Sequence, residues 1–247
     1  MDKVSVVILT YNEEVHISRC IDRISELSDD IHIIDSYSTD RTVELCQKVG
    51  CVVTQRSWPG VHSKQLQWAI ENCKFLHQWV LRLDADEYLD GDLIAEIKTL
   101  KPSSDTDAYI LKRGHVFLGK KMIHDGCFPV PLLRLWRQGT VECDQRLMDE
   151  HLQMINKVSK IGRLSGLMWD HSLKSISDWI EKHNDYSSKE ALEIINRRIE
   201  ILERPSVASH SIKHWIKSHV YERMPIGLRS FFYFFYRYIL RGGFRDG

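Results

Sequence analysis

VSVVIL (residues 4–9), running directly into TYNEE (10–14), is the stretch on which the fold turns. It is apolar at nearly every position, which suits a strand buried on both faces of a parallel sheet. Such a strand needs helices on either side, and the downstream sequence supplies them. Ile17, Cys20, Ile21, Ile24 and Leu27 recur at helical spacing, IHIID (31–35) reads as a second strand, and a helix over 40–49 ends at Gly50. CVVTQ (51–55) is a third strand. A helix from about His62 to Phe75 carries Leu66, Ala69, Ile70 and Cys73 on one face, and WVLRL (79–83) is the fourth strand. Four β-then-α units predict an α/β fold over residues 1–101, a three-layer αβα sandwich with a mostly parallel sheet.

After Pro102 the pattern changes. AYILKRGHVFLGKK (108–121) and VPLLRLWRQG (130–139) read as longer, partly antiparallel strands turning at Gly119 and Gly139, so residues 102–175 are expected to form an α+β half of the same domain. Residues 177–203 place Trp179, Ile180, His183, Tyr186, Leu192, Ile195, Ile199 and Leu202 at helical spacing before Pro205, opening a helical extension over 176–247. No internal repeat or low-complexity linker interrupts the 247 residues.

The 34 basic and 34 acidic residues cancel, so no global field favours a nucleic-acid partner. The six cysteines (Cys20, Cys46, Cys51, Cys73, Cys127, Cys143) form no C-x-x-C pair or zinc-type spacing, and reduced, mostly buried thiols in a cytoplasmic protein are expected. The N-terminus MDKVSVVILTYN passes from one lysine into a strand, unlike a secretory signal.

In parallel sheets ligands bind at the carboxyl ends of the strands. That rule brings Thr10–Glu13, Asp35–Asp40 and Asp84–Glu87 to one rim. In LRLDADEYLD (81–90), Asp84 and Asp86 would point to opposite faces of a strand, so both serve one ligand only if the chain leaves the strand at Asp84. A hard divalent cation completed by substrate phosphates fits such a pair. The plainer alternative is an acidic turn opening the next helix, with Asp90 or Asp92 as N-cap.

The series VSVVILTYNEE, IIDSYSTDRT, HSKQLQWAI and WVLRLDADEYL closely resembles family 2 glycosyltransferases with a GT-A fold, in order across about 100 residues. RLMDEHL (146–152), DHSLKSISDWIEKHNDYSSKEA (170–191) and the ending FFYFFYRYILRGGFRDG are similar to the bacterial branch that builds lipopolysaccharide core and related surface glycans. The resemblance implies that Thr10, Tyr11 and Glu13 line a uracil and ribose site and that Asp35 contacts the base, with Ser38 and Asp40 nearby. Lys64 and Gln65 would face the pyrophosphate or sugar. Asp84, with Ala85 beside it, would lie near ribose and donor sugar, and Asp86 would bind Mn²⁺ or Mg²⁺ bridging the diphosphate of a UDP-sugar. The acceptor's proton would pass to Glu150 or Asp149, with His151 helping to bind metal or diphosphate and His171 a weaker candidate. The D-E-H order departs from the usual E-D pair of the family, which leaves the choice between the two carboxylates open.

Residues 213–247 hold seven Lys/Arg against Glu222 and Asp246, a balance of +5, around FFYFFYRYIL (231–240). This run is about half the ~20 apolar residues that a membrane span needs. A basic aromatic segment can lie in the headgroups of an anionic leaflet, and its alternative is packing on the domain or in a homo-oligomer interface. A lipid-linked acceptor at the cytoplasmic face of the inner membrane would account for the first.

Three rivals compete with this transferase. DADEY resembles the start of haloacid-dehalogenase-type phosphohydrolases, but follows the fourth strand rather than the first. GHVFLGKK (114–121) nearly matches a P-loop, but Lys121 replaces the metal-binding hydroxyl. A non-catalytic nucleotide-sugar-binding scaffold is the third, and retention of Asp84, Asp86, Asp149 and Glu150 argues against it. The absence of G-x-G-x-x-G disfavours a dinucleotide oxidoreductase. The expected activity is inverting, metal-dependent transfer of a hexose, glucose or galactose, from a UDP-sugar to a bacterial surface glycan.

Overall fold

Val6, Val7 and Ile8 are wholly shielded from solvent, as a strand covered on both faces requires. They lie on β1 (Ser5–Thr10) of a computed structural model that describes residues 1, 3–124, 126–144, 152–156, 158–203 and 226–246. The two faces of β1 feed different cores. Val6 and Ile8 join Ile17, Ile21, Ile24, Ile33, Leu81 and Leu83, while Val7 joins Ile34, Leu66, Ala69, Val80 and Trp136. Each such aliphatic side chain contributes roughly 1.5–3 kcal/mol on burial, so the alternation within one strand fixes both outer layers.

The first layer is made of α1 (Ile17–Ile24), α2 (Thr42–Lys48) and α4 (Gly91–Thr99), which direct Cys20, Cys46, Leu93 and Ile97 onto the Val6–Ile8 side. The second is α3 (His62–Asn72) with a small ribbon of β9 (Val141–Cys143) and β10 (Leu152–Met154). Between them β2 (Asp30–Asp35), β1 and β4 (Trp79–Asp84) run parallel, with β3 (Val52–Gln55) on the outside of β2. The three-layer α/β arrangement of the GT-A type is therefore observed.

The second half continues the same sheet. β8 (Val130–Arg137) pairs antiparallel with β4 and with β6 (Thr106–Phe117), as expected for this region. β11 (Lys160–His171), which the sequence pattern does not announce, then runs parallel to β6, and β5 (Glu87–Leu89) closes the far edge antiparallel to β11. The strand order is β3-β2-β1-β4-β8-β6-β11-β5, and β7 (Lys120–Met122) folds back on β6. GHVFLGKK thus forms a strand–turn–strand hairpin, with no helix to receive phosphates, and the P-loop alternative fails on that geometry.

α5 (Ile176–Glu203) leaves the sheet after β11. α6 (Ile226–Phe235) continues as a π-helical turn over Tyr236–Leu240 and a 3₁₀ turn over Gly243–Arg245. No helix among the described residues is long and apolar enough to cross a membrane. Cys20 and Cys46 are buried, Cys51, Cys73 and Cys143 are half-buried and Cys127 is exposed, against the expectation of mostly buried thiols.

Candidate active site

The loops after β1 and β2 are stitched together by short polar side chains. Asp35 is fully buried at the end of β2. Its Oδ1 accepts from Thr10 Oγ1 at 3.0 Å and from the Ser38 hydroxyl, and its Oδ2 accepts from Ser38 N at 2.8 Å and Gln55 Nε2 at 3.2 Å. Ser38 Oγ in turn accepts from Asn12 N at 2.9 Å. Asp40 accepts from Thr42 N at 2.9 Å and Glu14 N at 3.1 Å. Burial would raise its carboxyl, but the hydrogen bonds from Thr42 and Glu14 hold it below the ordinary value. Asp35, Ser38 and Asp40 are thus engaged in shaping the rim.

What the rim presents outward is aromatic. Tyr11 and Tyr37 are 57% and 53% exposed. Asn12 and Tyr37 adopt φ of 54° and 60°, a left-handed conformation uncommon for a bulky residue. On α3, Lys64 is exposed in the first turn, whereas Gln65 is buried, accepting from Arg56 and donating to Ser36 Oγ at 3.3 Å.

Asp84 is the last residue of β4, and the chain turns through Ala85 and Asp86 before β5, so it does leave the strand at Asp84. Asp84 is held by two guanidiniums, Arg82 Nη2 at 2.8 Å from Oδ1 and Arg134 Nη2 at 3.0 Å from Oδ2. Glu87 lies behind it, accepting from Asp84 N at 2.9 Å and Arg134 Nη2 at 3.0 Å, with Arg113 Nη1 at 3.5 Å. Burial drives the Glu87 carboxyl well up, the charge of Asp84 adds to this, and Arg113 and Arg82 oppose it. Asp90 is the N-cap of α4, its carboxylate accepting from Leu93 N at 2.9 Å. Capping and the acidic turn therefore coexist, on different aspartates.

The exit of β11 completes the cluster. His171 N donates to Asp86 O at 3.0 Å, and Arg19 Nη2 donates to the carbonyls of Asp86 at 3.1 Å and His171 at 2.6 Å. Burial, and after it the positive charge of Arg19, lower the His171 pKa. Next to it, Asp170 Oδ2 meets His115 Nδ1 at 3.2 Å; burial would raise the Asp170 carboxyl, but this hydrogen bond together with the charges of His115, Arg113 and Lys182 keeps it low. Leu173 N donates to His16 Nε2 at 2.7 Å, which leaves the proton on Nδ1 to bond Glu13 Oε2 at 2.5 Å. Lys174 Nζ reaches the other Glu13 oxygen at 2.8 Å. From α5, the Lys182 ammonium feels Asp86, Tyr186, Asp170 and Asp84, which raise its pKa against burial.

Asp86 is the carboxylate with the most unbalanced surroundings. Burial, then the charges of Asp170 and Asp84, push it from 3.8 to about 6. Among the described residues no three His, Cys, Asp or Glu side chains converge on a metal position. An oxygen donor crowded by two further carboxylates nevertheless fits a hard cation that takes its remaining ligands from a diphosphate. Asp149, Glu150 and His151 lie outside the described residues. Sequence reasoning missed Arg19, Arg82, Arg113 and Arg134, together with Asp170, His115 and Lys182. Of these only Asp170, beside His171 in DHS, carried a local signal.

A family model described as glycosyl transferase family 2 matches residues 5–140. A Rickettsia typhi protein described as an uncharacterized glycosyltransferase is 28% identical over 206 residues, covering 80% of this chain and 70% of that protein. A Rickettsia conorii protein of the same description is 35% identical over 109 residues, 44% of this chain and 38% of that one. Among solved structures, Staphylococcus aureus TarS is similar with TM-score 0.48 and 16% identity, over 69% of this chain and 37% of that chain. Glucosyl-3-phosphoglycerate synthase from Mycobacterium tuberculosis, in complex with Mn²⁺, uridine-diphosphate and glucosyl-3-phosphoglycerate, gives TM-score 0.35 and 22% identity, over 47% of this chain and 44% of that one. The chain thus spans less than half of either solved protein.

Proposed function

Because this chain belongs to glycosyl transferase family 2, we propose that it is an inverting, metal-dependent hexosyltransferase. Its donor is a UDP-sugar, UDP-glucose or UDP-galactose, and its acceptor is a lipopolysaccharide core or related surface glycan carried on lipid at the cytoplasmic face of the inner membrane. The single observation that carries the reading is the state of Asp86 at the carboxyl end of the parallel sheet, with its carboxyl driven to about 6 beside Asp170 and Asp84. A buried carboxylate that feels two others nearby is stabilised by a cation that arrives with its own further ligands.

In this reading Tyr11, Thr10 and Glu13 line the base and ribose side, on a loop that Asp35, Ser38 and Asp40 hold in shape. Asp84, oriented by Arg82 and Arg134, faces ribose and sugar, and Lys64 and Gln65 lie toward the pyrophosphate. Mn²⁺ or Mg²⁺, when bound at Asp86 with help from His151, would neutralise charge developing on the departing diphosphate. Glu150 or Asp149 removes the proton from the acceptor hydroxyl on the opposite side of the sugar. Residues 1–101 form the donor half, 102–175 the acceptor half and 176–247 an extension toward the membrane.

Calorimetry with UDP, GDP and CMP, in Mn²⁺ and in EDTA, tests this. UDP binding that EDTA abolishes supports the donor site, and transfer from UDP-hexoses should then stop in Asp86→Ala. Absence of nucleotide binding in both conditions would sink the proposal.

A further inference from the structure

Two separate features of this structure are costly in water, and both attach to the β6–β7 hairpin, one at its tip and one at the segment that follows it. The first is the β6–β7 hairpin tip. Phe117 pairs with Lys120, so Leu118 and Gly119 form a two-residue turn, both at positive φ (49° and 76°). Such turns favour Asn, Asp or Gly. A leucine there is strained, and it is 75% exposed, so neither backbone preference nor core packing accounts for it.

The second feature is the carboxyl-terminal helix. Phe231, Phe232, Tyr233, Phe234, Phe235 and Tyr236 are six consecutive residues exposed by 60, 53, 49, 58, 44 and 48%. Six positions at 100° each pass right round the helix, so apolar surface faces every direction. Its seat is the segment just after β7. Asp246 accepts from His124 N at 2.7 Å and Nδ1 at 2.9 Å, and a methyl added at Gly126 would lie 3.2 Å from the Arg241 side chain. Ile123, 46% exposed, and Phe244, 52% exposed, flank that seat.

We propose that the Leu118 tip and the aromatic helix form one docking surface for an anionic lipid leaflet, seated on the rim of the candidate active site. A second copy of the chain would cover one stripe of the helix, whereas immersion covers its whole circumference. The 15 residues from Ile226 to Leu240 span only about 22 Å, short of the ~30 Å hydrocarbon core, so the helix enters one leaflet or lies along it. The charge nearby suits anionic headgroups. Arg237, Arg241 and Arg245 punctuate the aromatic segment, and Lys120 and Lys121 border the hairpin tip. Asp246, the acid within this segment, is taken up by His124.

The surface also sets the position of the site. His115 is in register with Asp170 on β11, and Leu118 is three residues further along. At ~3.3 Å per residue the tip stands about 10 Å beyond the acidic cluster. A headgroup-linked acceptor would reach the cluster without leaving the bilayer. The inference deepens the membrane part of the proposed function by naming the surface and the lipid class.

Flotation of the full chain with vesicles of phosphatidylcholine alone, or of equimolar phosphatidylcholine and phosphatidylglycerol, is the test. Recovery should require phosphatidylglycerol and fall in molar salt. The pair Phe232→Asp/Phe235→Asp should lower it by about tenfold or more. Leu118→Gly separates lipid contact from structure: relief of the left-handed strain should hold or raise the melting temperature while flotation falls. Flotation equal for all variants, or absent for the wild type, overturns the proposal. So does a wild-type dimer in sedimentation equilibrium that the Phe232→Asp/Phe235→Asp pair converts to monomer, since a second copy would then be the occupant. UDP binding measured on the same samples keeps failure of the docking surface distinct from failure of the transferase reading.

Discussion

Arg134 and Glu87 meet at 3.0 Å with 3% and 1% of their side chains exposed, and the same Arg134 nitrogen lies 3.0 Å from Asp84. One guanidinium on β8 thereby fixes the turn that carries Asp84 and Asp86 out of β4. Removing it strands a buried carboxylate, so Arg134→Met should destabilise the fold by about 3–5 kcal/mol in urea denaturation. Arg134→Lys should restore only part of this, because a single ammonium replaces a fork. A loss below about 1 kcal/mol for Arg134→Met would show that Arg113 and Arg82 suffice.

Asp86 gives a pH dependence with a defined sign. Its native carboxyl titrates at about 6 against an ordinary 3.8, so the folded chain holds this proton more tightly than the unfolded one. That contribution is complete below the unfolded value and is lost as pH rises through the folded value. Without metal, stability should therefore decline between about pH 4 and 6, and Asp86→Asn should flatten the decline and exceed the wild type above about pH 6 by roughly 1–2 kcal/mol. On the proposed function, cation and proton would compete for this carboxylate, and Mn²⁺ affinity in the presence of UDP should drop about tenfold per unit below about pH 6. Parallel stability profiles for wild type and Asp86→Asn would remove Asp86 from this role.

The first half was legible because its signals are local. Val6, Val7 and Ile8 announce a strand covered twice, and Ile17, Cys20, Ile21 and Ile24 a helix covering it. The far half was less so. In β11, register shifts between Lys160 and Ile161 and between Arg163 and Leu167 break the two-residue alternation by which strands are read. Its parallel pairing with β6 and the crossing of β5 to the opposite edge are long-range choices with no local signature. The site divides in the same way. Asp84 and Asp86 stand out as carboxylates at a strand end, whereas an arginine inside a strand reads as a solvated residue. Arg134 is buried only because Glu87, 47 positions earlier, is buried with it. Asp35 lies at the end of β2, where the strand pattern put it, yet the number of its partners could not be read from spacing.

Gly166 should tolerate no side chain. It sits within the shifted stretch of β11 against the first turn of α4, where an added Cβ would lie 2.5 Å from Leu93 Cα and 2.6 Å from Leu93 N. Both contacts are with backbone, so neither can swing aside. Ser165 N and Gly166 N also donate to Glu96, which ties the two elements together. Gly166→Ala should cost about 1–3 kcal/mol by overpacking, read as a lower urea midpoint with an unchanged slope. A neutral result would mean that α4 shifts as a unit.

Asp246 should behave as the clasp of the carboxyl-terminal helix. Hydrogen bonds from the His124 ring and backbone outweigh burial and depress its carboxyl, so this tie is present above the ordinary carboxylate value and is lost as pH falls through the lower folded value. Asp246→Ala removes it at every pH. Neither His124 nor Asp246 belongs to the hydrophobic core, so the melting temperature should move by no more than about 2 °C. Local opening of the helix should become more frequent instead, with trypsin cutting at Arg237 and Arg241 about fivefold faster or more. Asp246→Asn, which keeps an acceptor oxygen, should fall between the two. Equal cleavage rates for wild type and Asp246→Ala would mean that the Arg241 contact at Gly126 holds the helix by itself.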